Sequence, residues 1–335
     1  MAVMDGCLQQ RALAPDARSA PPQAEPAVDP PVVLDELRVE PPAVPPVDVE
    51  TRRVSTSTGL GCQAYLRIPA GATRLAFVAS GTGTYSTTQG DMGPLARMAS
   101  RAGVALLTVD KPGISFDGRG QLRVIADVFR RHTLADLVEC GRLAASWALT
   151  RMPDDARLVL HGHSEGAQVM VRVLGEAGAE PALLSRTELV VLTGLPLEPV
   201  VSGAARQVAL FMPRELAAFA HARKTHDDDW LMRLAMPSAY FDHPTAREHL
   251  EPLFEAIAAA RPGLRVELFH GEGDRNAPIA LVRKLVSHNA AARAHGKPAL
   301  DLRLHAYVDA RHSLDERFDH DMEDLVASLP RTATE

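Results

Sequence analysis

The feature that most constrains how this chain can fold is a set of short, almost continuous apolar runs set between helical segments. Arg74 to Ser80 (RLAFVAS), Val104 to Val109 (VALLTV) and Arg157 to His161 (RLVLH) lack the in-and-out alternation of a half-exposed strand. A strand built from such a run buries both faces, which is the demand of a parallel sheet covered by helices. Further strands are predicted at Glu188 to Leu192, Arg265 to His270 and Asp301 to Tyr307. Helices are predicted at Asp91 to Arg101, closed by Gly103, and at Thr133 to Thr150. The second opens with Thr133 and Asp136 at capping-box spacing and lines up Leu137, Cys140, Ala144 and Trp147 on one face. Ala167 to Leu174, Ala280 to His295 and Glu316 to Ser328 also read as helices. Alternation around Val54 and Thr56, followed by Cys62 to Ile68, predicts a hairpin-like opening. The expected fold class is α/β, with a mostly parallel central sheet of about eight strands and helices on both faces.

Two segments stand apart from this alternation. Residues 1–47 are rich in Pro and Ala, with Pro pairs at 21, 30, 41 and 45, and read as an extended or disordered leader. The remainder, 48–335, reads as one domain. Within it, about 199–262 shows no convincing strand and reads as a helical cap inserted after the sixth core strand. Phe211, Met212, Phe219, Trp230, Met236, Tyr240 and Phe241 concentrate there, although aromatic residues make up only 4% of the chain. Such side chains can roof an apolar acyl pocket or simply pack the insertion.

Composition narrows the function classes. A formal charge of −6 and a pI near 6.1 provide no basic footprint for nucleic acid or an anionic membrane. Cys7, Cys62 and Cys140 are too few and too scattered for a disulfide framework or a paired metal site, and read as buried or free thiols. No apolar run is long enough to span a membrane and no secretory signal precedes the domain, so a cytoplasmic location is expected. His221, His226, His243 and Asp227 to Asp229 lack strict ligand spacing, so no metal and no cofactor are expected. Oligomeric state is not legible, a homodimer being one option.

The chemistry concentrates in Gly162-His163-Ser164-Glu165-Gly166, which directly follows one apolar run and directly precedes a helical pattern. Strand, G-x-S-x-G and helix in that order make a nucleophile elbow, with the Ser164 hydroxyl projecting above the sheet. A serine hydroxyl needs a base, and the base needs a carboxylate to hold its tautomer. Asp274 lies in the Gly-rich loop after the strand ending at His270, and His312 lies in the loop after the strand ending at Tyr307. Successive parallel strands place both loops on the edge that carries the elbow.

Ser, Asp and His in that order, each after its own strand, resemble the α/β-hydrolase fold superfamily. The similarity spans roughly residues 50 to 330 and is greatest to the esterase, dienelactone-hydrolase-like and serine-aminopeptidase-like branches. It implies Ser164 as nucleophile, Asp274 as orienting acid and His312 as general base. Arg311 departs from the glycine that usually precedes the histidine. The backbone N–H of Glu165 and that of Thr82, with Gly83 as the fallback, are the expected oxyanion donors. The loop Gly81 to Tyr85 resembles the family's oxyanion loop, with Ser80 where a histidine usually stands. Asp110-Lys111-Pro112-Gly113 resembles a family turn and reads as structural. Glu198, after the sixth strand, is the rival acid. Tyr85, His163, Phe211, Met212, Trp230 and Tyr240 are the candidate pocket residues.

The implied activity is cleavage of a small ester-like substrate, or a related lactone or thioester, through an acyl-enzyme. The same triad serves an acyltransferase or a peptidase, for which Asp227 to Asp229 could anchor a substrate amino group. A binding protein without catalysis is the remaining reading.

Overall fold

A computed structural model of the protein describes residues 49–83, 103–116, 122–176, 180–314 and 316–329. The leader, the predicted helix at Asp91 to Arg101 and Tyr85 lie outside the described residues. Eight strands form one sheet in the order β1-β2-β4-β3-β7-β8-β9-β10. β1 (Val49–Ser55) and β2 (Gly61–Arg67) are antiparallel, and β2 pairs antiparallel with β4 (Ala105–Val109). From β4 onward all pairings are parallel, through β3 (Arg74–Ala79), β7 (Arg157–His163), β8 (Thr187–Thr193), β9 (Arg265–Gly271) and β10 (Asp301–Tyr307). A small separate hairpin, β5 (Ile114–Phe116) with β6 (Leu122–Val124), has no counterpart in the sequence reading.

The continuous apolar runs are explained by the two cores. Leu75, Phe77, Leu158 and Leu160 join the larger core on one face, while their neighbours Ala76, Val78 and Val159 join the second core on the other. Successive side chains of a strand point to opposite faces, so both must be apolar when both faces are covered. Helices α2 (Leu134–Leu149) and α3 (Glu165–Gly175) cover the first face, and α11 (Glu316–Ala327) covers the second through Phe318, Met322 and Leu325. The capping box of α2 forms in full: Thr133 Oγ1 accepts the Asp136 amide at 3.1 Å, and Asp136 Oδ2 accepts the Thr133 amide at 2.9 Å. The short helices α1 (Ala126–Phe129) and α4 (Pro181–Arg186) complete this part of the chain.

Between β8 and β9 the chain is helical: α5 (Val200–Phe211), α6 (Leu216–Thr225), α7 (Asp228–Leu231), α8 (Ser238–Asp242) and α9 (Glu251–Ala260). α10 (Ile279–Ala294) then leads to β10. No described helix is long and apolar enough to cross a membrane.

Cys62 on β2 and Cys140 on α2, both buried, form a disulfide with Cα atoms 6.1 Å apart. This corrects the expectation of unpaired thiols. The pairing depends on how α2 lies over β2, a tertiary relation with no local signature.

Strand order also fixes where a site can form. β3 has β4 on one side and β7 on the other, so the order in which the chain adds strands reverses between β3 and β7 and opens a crevice beyond their C-terminal ends. The loops after β3, β7, β8, β9 and β10 all emerge at that edge.

Candidate active site

Ser164 joins β7 to α3 with φ 54° and ψ −118°, a region that L-residues rarely adopt. Its amide donates to Thr193 O at 2.9 Å, and its carbonyl accepts from Ala167 N at 3.0 Å, which together pin the turn. The flanking glycines are required by close approach. A Cβ at Gly162 would strike the backbone of Gly166 and Ala167, and one at Gly166 would strike the carbonyls of Ala79 and Ser80. The helix behind the serine is thus pressed against both β7 and the end of β3.

Asp274 and His312 meet across neighbouring loops. His312 Nδ1–H donates to Asp274 Oδ2 at 2.8 Å, while Asp274 Oδ1 accepts the amides of Asn276 at 2.8 Å and Ala277 at 2.9 Å. Burial alone would raise the Asp274 carboxyl. The hydrogen bond and charge of His312, the Ala277 amide and His270 outweigh it and hold the carboxyl below its ordinary value. His270 approaches the same carboxylate oxygen at 3.4 Å and donates from Nε2 to Ala277 O at 2.6 Å. The loops are also joined through backbone: Gly273 N donates to Ala310 O at 2.9 Å, and Glu272 N to Tyr307 O at 2.9 Å. A Cβ on Gly271 would strike the Ala310 and Arg311 carbonyls. Room for the non-glycine Arg311 is therefore made on the partner loop.

His312 lies over the end of β8. A Cβ built on Gly194 would come within 3.0 Å of the His312 ring, and the His163 and His312 ring centroids are 4.9 Å apart. His163 in turn contacts Thr193 Oγ1 at 3.0 Å. Burial first, then neighbouring His312, hold its imidazole well below the ordinary histidine value, so it stands as a neutral neighbour. Thr82, Ser164 and Glu165 line one cleft, and no hydrogen bond is made by the amides of Thr82 or Glu165 among the described residues. Glu165 N–H is the first of α3, where the helix dipole adds to its pull on an anion.

Against known structures, the chain is similar to esterase Pf2001 from Pyrococcus furiosus, with a TM-score of 0.55 and 16% identity over 83% of this chain and 89% of that one. It is also similar to a lipase in an open form, with a TM-score of 0.54 and 15% identity over 84% of this chain and 97% of that one. The chain has the α/β-hydrolase fold. No protein-family model matches the sequence, and no curated protein does.

In this hydrolase fold the loop after the sixth core strand also carries Glu198, the rival acid. Its Oε1 is taken by the Arg206 guanidinium, which further donates to the backbone carbonyls of Arg275 and Asn276. Glu198 therefore lines the cleft as half of an ion pair, and among the described residues His312 Nδ1–H donates to Asp274 instead. The cleft is completed by Gln168, Val200, Gly203, Met236 and Tyr240, so both α5 and α8 contribute to its wall.

The other pocket candidates lie elsewhere. Phe211 sits under the Arg275 guanidinium at 5.4 Å, Met212 packs on the main core, and Trp230 packs on Phe219 at 5.7 Å with Arg233 over its ring. Trp230 thus holds α7 to α6, while Phe211 and Met212 pack the insertion against the rest of the chain. His163 faces His312 and is not part of the cleft wall. The acidic run is likewise committed: Asp227 caps α7 through Trp230 N at 3.1 Å, Asp228 accepts Ser238 N at 2.6 Å, and Asp229 pairs with Arg130 at 2.6 Å. Among the described residues, no three His, Cys, Asp or Glu side chains converge as metal ligands would.

Sequence reasoning missed several residues of the candidate site. Gly194 and His270 carry no motif of their own, and Lys111 stands in the Asp110-Lys111-Pro112-Gly113 turn that reads in sequence as structural only. Lys111 Nζ lies 2.5 Å from Glu165 Oε2 and donates to Gly81 O at 2.9 Å. Tyr240 Oη donates to Glu165 Oε1 at 2.6 Å.

Proposed function

We propose that this chain is a serine hydrolase that cleaves a carboxylic ester, or a related lactone or thioester, through an acyl-enzyme on Ser164. The observation that carries the reading is the Asp274 to His312 hydrogen bond, formed at the sheet edge that also carries a serine in a strained elbow. His312 Nε2 takes the Ser164 hydroxyl proton as Oγ attacks the substrate carbonyl carbon. The carbonyl oxygen becomes an anion received by the N–H groups of Glu165 and Thr82. The alkoxide leaves with the proton from His312, and an acyl-Ser164 ester remains. Water then attacks, His312 takes its proton, and the carboxylic acid departs as Oγ recovers a proton. Asp274, ionised throughout, holds the Nδ1–H tautomer and offsets the charge that forms on the ring.

The helices over residues 200–260 act as the cap on the acyl side, because Val200, Gly203, Met236 and Tyr240 form that wall of the cleft. An ester is favoured over a peptide because Asp227, Asp228 and Asp229, the expected anchor for a substrate ammonium, are each engaged elsewhere. A cytoplasmic location is part of the same proposal, and the Cys62–Cys140 disulfide weighs against it because such bonds persist mainly in oxidising compartments, so the thiol state of this pair in its own cell decides the point.

The test combines a fluorophosphonate probe with a panel of p-nitrophenyl esters and aminoacyl p-nitroanilides. Labelling of Ser164, its loss in Ser164→Ala, and turnover of esters above anilides are expected. Asp274→Asn should lower kcat by about a thousandfold to ten-thousandfold, with Glu198→Gln changing it far less. Folded protein that is neither labelled nor active sinks the reading, and a silent Asp274→Asn beside a crippling Glu198→Gln reverses the choice of acid.

A further inference from the structure

The buried ion pair of Lys111 and Glu165 has no part in the proton transfers above. Lys111 is 8% exposed, Glu165 5% and Tyr240 0%. Such a pair is weak as a source of stability, since withdrawing both charges from water costs about what their attraction returns. Its geometry offers another role. Lys111 Nζ holds the carbonyl of Gly81, and that carbonyl belongs to the same planar peptide unit as the Thr82 N–H. No described peptide bond is cis, so C=O and N–H of this unit point in opposite directions. Gripping the oxygen from behind therefore aims the N–H at the other side, where Thr82 and Ser164 line the cleft. A cation on the oxygen also polarises the amide and makes its N–H a stronger donor.

The partner of Lys111 is the residue whose own N–H is the other expected donor. The Glu165 carboxylate is held between Lys111 and the Tyr240 hydroxyl, while its backbone starts α3. Burial and the adjacent carboxylate push the Tyr240 phenol well above its ordinary value, so it remains a donor.

We propose that Lys111 and Glu165 are positioning residues for the oxyanion hole, one ion pair aligning both backbone donors, with Tyr240 tying that alignment to the helical insertion. This rests on the ester-hydrolysis reading above.

The test compares an ester with its matching thionoester, whose sulfur is a larger and poorer acceptor. The variants are Lys111→Met/Glu165→Gln, which leaves no lone buried charge, and Lys111→Gln as a second route should the first not fold. In each variant with wild-type circular dichroism, kcat for the ester should fall about a hundredfold. The thionoester rate should fall much less, narrowing the oxygen-to-sulfur ratio about tenfold or more. KM and the low-field proton resonance of His312 Nδ1–H should be retained. An unchanged ester rate overturns the proposal, and so does an equal fall for both substrates, which a merely structural pair would produce. Wild type that neither hydrolyses the ester nor labels at Ser164 overturns the parent reading and this one with it. Wild type that does both, beside a variant with an unaltered ratio, overturns this one alone.

Discussion

Gly194 shows how much a single backbone position can decide. It adopts φ 55°, and an added Cβ would meet the His312 ring at 3.0 Å and the His163 ring at 3.5 Å. Gly194→Ala therefore combines left-handed strain of about 1 kcal/mol or more with pressure on the imidazole. The expected outcome is a tenfold to hundredfold loss of kcat, because small misplacements of a reacting group cost that much. Ester kinetics check it, with urea unfolding to separate the stability loss, and an unchanged kcat would show that His312 does not depend on this space. The need for glycine here comes from a ring on a loop far along the chain, so nothing around residue 194 announces it. Gly162 differs, since the atoms that exclude its Cβ include those of Gly166 in the same short motif, whereas Gly166 is excluded by Ala79 and Ser80 at the end of β3. The strained turn at Ser164 was legible because a pentapeptide between a strand and a helix announces it.

Elements were legible where periodicity alone decides them. The runs at Arg74, Val104 and Arg157 became strands because both faces of the sheet are covered, and Thr133 to Thr150 became α2 through its own cap. The hairpin of β5 and β6 and the four-residue α1 are too short to generate a period. In the insertion, an apolar side chain facing a cleft and one packed elsewhere look identical in sequence, which is why Trp230 and Phe211 read as pocket candidates although they pack on Phe219 and under Arg275. Pairing of Cys62 with Cys140 is the strongest tie between elements and also the least legible. It closes a segment of 78 residues between β2 and α2, which in a chain-entropy picture is worth about 4 kcal/mol. Cys62→Ala/Cys140→Ala should lower the urea midpoint accordingly, and reduction of denatured protein should release two additional thiols. Release of none would mean that the bond does not form.

At the scale of the whole molecule, buried histidines set the response to acid. Burial lowers His132 and His161 from 6.5 to about 4, and in His132 this outweighs the Phe129 carbonyl it contacts. Unfolded histidine takes up its proton near pH 6.5 while these two stay neutral until about pH 4. Stability contributed by their neutral state is therefore present above that window, falls as pH drops through it, and levels off below it. Between pH 7 and pH 5 the loss should be about 2 kcal/mol for each. Urea titrations at the two pH values measure it, and His161→Leu should flatten the slope; an identical slope in that variant would remove His161 from the account. Neither this nor the Lys111 network could be seen in sequence, because burial of a polar residue is a property of the completed packing. The order of the site loops along one sheet edge could be seen, since it follows from strand succession.

Tyr240 reaches Glu165, Arg206 reaches the carbonyls beside Asp274, and Arg172 of α3, itself buried, reaches Glu248 at 2.8 Å and the Thr245 carbonyl at 2.9 Å. The insertion is thus moored at three points to the framework that carries Ser164, Asp274 and His312. Anyone grafting a foreign cap onto this scaffold to change its selectivity would have to carry those three moorings across as well, or redesign the surface they leave behind.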